Sequence, residues 1–171
     1  DNAKGKVYLE IDDFKETFLF QSALPYGVGS NDIGLDRGQL GETRLVQFER
    51  VGDKVLLRQL NTDYRANSKN KLEQQAVKQA FASSVIWGFN VNQLTADNGK
   101  TLIDYTPFLL SDIHNIAKKL TQTKQGNYRI DISRSVVDIA RSRSLPNNTE
   151  LEAIITFKGE GAGAYLRSVT P

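Results

Sequence analysis

The chain holds 171 residues, 39% hydrophobic and 25% charged, a composition that places it among globular domains and excludes an intrinsically disordered segment. Its 22 Lys and Arg against 20 Asp and Glu leave a formal charge of +2, too little for a nucleic-acid footprint or a polybasic membrane contact. The absence of cysteine excludes disulfides, thiolate zinc sites and cysteine nucleophiles, and no apolar run approaches the roughly 20 residues of a membrane-spanning helix.

This length predicts a single domain spanning residues 1–171. Asp1 to Lys6 lack the charged-then-apolar order of a signal peptide. The chain has no methionine, begins at Asp1 and stops abruptly at Pro171, so we expect a piece excised from a longer polypeptide.

Val7, Leu9 and Ile11 alternate with polar neighbours, the period of a half-buried strand, and Thr17 to Phe20 reads as a second one. From Pro25 to Gly41 five glycines interleave with Asn31, Asp32 and Asp36, which predicts a long loop without regular structure. Thr43 to Val51 and Lys54 to Leu60 form a hairpin around Gly52-Asp53. Asn70 and Glu73 make a capping pair for a helix over Lys71 to Ala82, with Leu72, Ala76, Val77, Ala80 and Phe81 on one face. Ser84 to Leu94 is strand-like, Asn98-Gly99 signals a tight turn, and Thr101 to Tyr105 is another strand.

Thr106 caps a second helix with Pro107 at its first position, Leu109, Ile113, Ile116 and Leu120 facing inward, and Gly126 beyond its end. The rest returns to strands at Tyr128 to Ile132, Ser135 to Ala140 and Glu150 to Phe157, with a turn at Pro146-Asn147-Asn148. Hairpin connections dominate, so the expected fold is α+β: a mainly antiparallel sheet with two amphipathic helices packed on one face. The order strand, turn, strand, helix occurs twice, a weak ββα duplication.

Complete catalytic constellations are missing. A hydrolytic zinc needs about three protein ligands, and the chain has one histidine. His114 has Leu110 and Lys118 at its i±4 positions, so it reads as structural or solvent-facing, and no G-x-S-x-G elbow supports a serine triad around it. Asp12 and Asp13 are adjacent on a strand, point to opposite faces and cannot cooperate as a glycosidase pair. Asn31 to Gly38 departs from a calcium loop, with Gly34 at a ligand position and Arg37 where glycine is needed. Gly159 to Gly163 lacks the Lys and Ser/Thr of a phosphate loop and reads as a turn. Arg134, Arg141 and Arg143 sit among Val136, Val137 and Ile139, as on the exposed side of a strand. Trp87 and Phe89, with Val85 and Val91, share one face at period two; core packing is the default, and an aromatic ligand surface at Trp87 is the alternative.

The run Gly29 to Gln39, containing Gly34-Leu35-Asp36-Arg37-Gly38-Gln39, resembles a known pattern together with the hairpin Val46 to Leu57 and with Asn61, Tyr64, Arg65 and Ala66. Further matches are Ser84 to Phe89, Phe108 to Asp112, Tyr128, Arg129 and Asp131, Ser133 to Ser135, Pro146 with Asn148 to Glu150, and Arg167 to Pro171. The chain is similar, over nearly its whole length, to the DUF5117 domain of large bacterial zinc-dependent metalloproteases whose catalytic part is a DUF4953-type domain. The resemblance implies that the zinc-binding HExxH helix lies downstream in that catalytic part, that no cofactor is held here, and that the location is secreted, periplasmic or cell-envelope.

On that resemblance the expected function is that of a non-catalytic accessory domain whose partner is the catalytic domain of the same polypeptide. Asp36 and Arg37, charges held among glycines, are the candidates for docking to that neighbour through charge-assisted hydrogen bonds. A local ion pair that merely orders the loop is the competing reading, and Asn31 and Asp32 share the ambiguity. Two alternatives are a free-standing peptide- or glycan-binding module, using a sheet edge or Trp87, and an enzyme built on dispersed carboxylates.

Overall fold

A computed structural model describes residues 1–28, 30–64, 67–91, 100–161 and 163–166, and the backbone alone of Lys78. The turn expected at Asn98-Gly99 and the motif residues Gly29, Arg65, Ala66 and Arg167 to Pro171 lie outside the described residues. The fold is α+β and mainly sheet, with strand pairing that is mostly antiparallel. The chain divides into two compact units, one of residues 1–8, 22–42 and 105–171 and the other of residues 9–21 and 43–104.

In the second unit, β1 (Tyr8–Ile11, its first residue counted in the other unit) and β6 (Thr101–Asp104) make a two-stranded sheet. Strands β2 (Thr17–Phe20), β3 (Arg44–Val51), β4 (Lys54–Gln59) and β5 (Ser84–Asn90) form an antiparallel four-stranded sheet in that order. The β3–β4 hairpin turns at Gly52, whose φ of 60° suits glycine. Alternation puts Val46, Phe48, Val55, Leu57 and Phe89 on one buried face, where Phe48 packs on the Phe18 ring at 5.2 Å and edge-on to Phe89 at 6.2 Å.

Two expectations change in this unit. The register shifts between Leu57 and Arg58, so that Trp87 pairs with Leu57 but Val85 pairs with Arg58. This irregularity moves Val85 off the Trp87 and Phe89 face and leaves it 47% exposed. Helix α1 (Lys71–Ala80) is capped as expected, Asn70 Oδ1 accepting from Leu72 N at 3.0 Å and Asn70 Nδ2 reaching Glu73 at 3.4 Å. Its apolar set does not turn inward: Leu72 is 74% exposed, and of that set Val77 alone is half-buried. The stripe is one leucine, one valine and two alanines, too narrow to compete with the Lys, Glu and Gln around it. Asn70→Ala is therefore expected to cost about 1 kcal/mol, seen as faster amide exchange at Leu72 to Gln74 with the sheet amides unchanged.

Where β3 and β4 make a full hairpin, β5 and β6 are joined, among the described residues, by the antiparallel bridge Val91 to Ile103. Phe81, just past α1, stacks on Tyr64 at 3.8 Å and 6°. Asn61 holds that corner, accepting from Asp63 N and Tyr64 N and donating to Phe81 O.

In the first unit the expected single helix after Thr106 is two, α2 (Thr106–Leu109) and α3 (Ile116–Gln122). The break has a local cause. Asp112 accepts from Ile116 N at 2.7 Å and Ala117 N at 2.9 Å, starting α3 afresh, and Asn115 turns left-handed at φ 58°. Tyr105, in place of Thr106, occupies the N-cap of α2, while the Thr106 hydroxyl instead accepts from Val7 N.

Strands β7 (Asn127–Ile130) and β10 (Phe157–Glu160) pair antiparallel, as do β8 (Val136–Leu145) and β9 (Asn148–Ile154). The strand expected over Glu150 to Phe157 is therefore the end of β9 and the start of β10, broken at Ile155-Thr156. Asp131 explains the break. Its carboxylate accepts from Ser133 N and Oγ, Arg134 Nε at 3.0 Å and Lys158 Nζ at 3.3 Å, and its amide donates to Thr156 O at 2.8 Å. Ser135 Oγ closes the knot, donating to Asp131 O and accepting from Thr156 N.

Candidate functional site

In its described residues the segment 25–41, expected to be irregular, is folded and belongs to the first unit. Ladder-like bonds tie its two arms: Leu24 N to Gln39 O, Gly38 N to Leu24 O, Val28 N to Leu35 O and Gly41 N to Ser22 O. A one-turn 3-10 helix, Asn31–Ile33, ends at Gly34 in the left-handed conformation at φ 70°. Gly27 lies so close to the opposite arm that a Cβ would sit 2.9 Å from Arg37 N. Ile33 (0% exposed) and Leu35 (2%) point down to form the core of this unit with Leu120, against Leu24, Val28, Ile116, Tyr128 and Leu166.

With the apolar residues directed inward, the polar ones are left on the surface. Asn31, Asp32, Asp36 and Arg37 are all exposed. Among the described residues, neither the Asp36 carboxylate nor the Arg37 guanidinium has an ion-pair or hydrogen-bond partner, so the two do not form the local ion pair that would merely order the loop. Asp36 contributes its backbone carbonyl to a turn, accepting from Gln39 N at 3.1 Å. Tyr26, at the loop's entry, accepts from Arg141 Nη1 at 2.7 Å, and the same guanidinium nitrogen reaches Glu152 at 3.1 Å.

Beside this loop lies a depression of about 250 Å³. Gly34, Leu35 and Gln39 line it from the loop, and His114, Asn115, Lys118, Lys119 and Gln122 from the other side. The Lys119 side chain folds over Gly34, its Nζ 3.3 Å from where a Cβ would be. His114 Nδ1 lies 3.0 Å from Ser22 Oγ, which fixes the ring. Desolvation lowers the pKa of His114 from its usual 6.5, opposed by nearby Asp112, so the ring is neutral in neutral solution. The i, i+4 spacing of His114 and Lys118 was available in the sequence, but a zinc motif does not use lysine.

Trp87 is half-buried and opposite Leu57, on the packed face of the four-stranded sheet. Arg134 and Arg141 are engaged with Asp131 and with Asp138 and Glu152. Gly163 N donates to Gln125 O, and the buried Gln125 Oε1 accepts from Tyr165 N and Leu166 N. Among the described residues no group of three or more His, Asp or Glu is placed to hold a metal ion, and no helix is long and apolar enough to cross a membrane. Residues 38–170 match a family described as Domain of unknown function (DUF5117). Neither a curated protein nor a solved structure matches the chain.

Proposed function

The chain belongs to the DUF5117 family, and from that premise we propose that it is a non-catalytic accessory domain of a secreted bacterial zinc-dependent metalloprotease, flanking or orienting the catalytic domain of the same polypeptide. The supporting observation is the presentation of Asp36 and Arg37: exposed, without side-chain partners among the described residues, on a loop anchored by buried Ile33 and Leu35. Two adjacent opposite charges held in a fixed geometry suit reciprocal charge-assisted hydrogen bonds with a neighbouring surface. Zinc belongs to the catalytic part in this reading. One histidine and no cysteine do not fit a hydrolytic zinc site here.

The parent gene is expected to encode an HExxH motif downstream of Pro171. The isolated chain should bind no stoichiometric zinc and cleave no protein. Separately expressed accessory and catalytic parts should associate, and Asp36→Ala/Arg37→Ala should weaken that association roughly tenfold or more, since a hydrogen bond to a charged group contributes about 1.5–3 kcal/mol. A gene lacking the motif, or association untouched by the double substitution, would remove the proposal. A peptide- or glycan-binding role for Trp87 gains little from its half-buried place on the packed face.

A further inference from the structure

We infer that the depression between the 25–41 loop and α3 is a binding site for a small carboxylate- or phosphate-bearing anion. Its lining combines Lys118 and Lys119 with His114, Gln39, Asn115 and Gln122, and among the described residues no Asp or Glu lines it. Neither lysine forms an ion pair among the described residues. The nearest carboxylate in sequence, Asp112, is close enough to act on His114, but it is turned to the amides of Ile116 and Ala117 and does not line the depression. Lys118 and Lys119 both line this concavity, and two neighbouring ammonium groups repel each other, a repulsion that an anion bound between them relieves.

The wall opposite α3 is shaped to bring a lysine in. Gly34 carries no side chain, and the Lys119 amine occupies the space beside it. Ser22 fixes the His114 ring from behind through Nδ1, and when Ser22 is the donor the Nε2 proton remains as a further hydrogen-bond donor. At about 250 Å³ the volume falls below the roughly 300–1,000 Å³ of drug-sized ligand pockets, which favours a single small anion over a nucleotide. Asp36 and Arg37 do not line the depression, so this inference stands apart from their docking role.

Titration of the whole chain with citrate, and separately with inorganic phosphate, followed by amide NMR, tests it. Saturable shifts centred on Gln39, His114 and Lys119 are expected, with a Kd in the millimolar range or tighter for at least one anion. The preferred anion identifies the head group. Lys118→Gln/Lys119→Gln should weaken binding at least tenfold while leaving the anion-free Tm unchanged. His114→Gln, with the lysines intact, should weaken it less. Linear, non-saturating shifts with both anions, shifts spread evenly over the other lysines and arginines, or full binding by the double lysine variant would overturn the assignment.

Discussion

Ile33→Ala is expected to destabilise the protein by about 2–5 kcal/mol, the range for truncating a buried aliphatic side chain. Composition alone points the other way, because Ile33 lies in a stretch of glycine, asparagine and aspartate where loop residues usually tolerate change. Ile33 is fully buried, however, and it shares a core with Leu35 and Leu120, so truncation leaves a cavity that a loop pinned by four cross-arm backbone bonds cannot collapse to fill. Calorimetry should show a Tm loss on the order of 10 °C. Leu72→Ala, on the exposed face of α1, should stay within about 0.5 kcal/mol of wild type. An Ile33→Ala protein as stable as that control would mean that the loop is not rooted in the core.

The second large effect is expected at Asp131. Its carboxyl is held at about 2, below the usual 3.8, first by the Ser133 hydrogen bond and then by Arg134 and Lys158, with desolvation opposing them. A folded-state pKa below the unfolded one means stability that is present in full above about pH 4 and disappears as pH falls toward 2. Asp131→Asn should lower Tm by several degrees at pH 7, because the amide cannot accept from all four donors and its own N–H groups face Ser133, Arg134 or Lys158. That gap should narrow through the acid range and close as pH falls through 2. Ser133→Ala should reproduce more of the loss than Lys158→Ala, whose side chain is 47% exposed. A gap of constant size from pH 7 to 2 would contradict the mechanism.

The hairpin over β3 and β4, the α1 cap and the overall α+β class were legible because each rests on local chemistry: Gly52 at a turn, Asn70 three residues before Glu73, alternation around Val46 and Phe48. Reading went astray where a polar side chain redirected the backbone. Ser111 and Asp112 sit inside an apolar periodicity that looks continuous, yet Asp112 restarts the helix and Asn115 breaks its phase. Asp131 likewise ends one strand and sets the break between two others.

The candidate site was legible only in part. Asp36 and Arg37 stood out by their charge among glycines, and they are exposed. Leu35, between them and Gly34, gave no sign in isolation that it was core. Several residues that carry the family resemblance turn out to be fixtures of the fold: Asn61 and Tyr64 at the end of α1, Phe108 in the core, and Asp131 with Ser133 to Ser135 at the strand junction.

Anchoring of the 25–41 segment by Ile33 and Leu35 has a thermodynamic corollary. A partner gripping its rim meets a surface already immobilised, so little chain entropy remains to be lost on association. By linkage the grip also runs backwards: a ligand present at a hundred times its Kd adds about 2.7 kcal/mol to the stability of the folded form. A lesion hidden at Ile33 would then weaken recognition without altering any contacting atom, and a tight partner would mask that lesion.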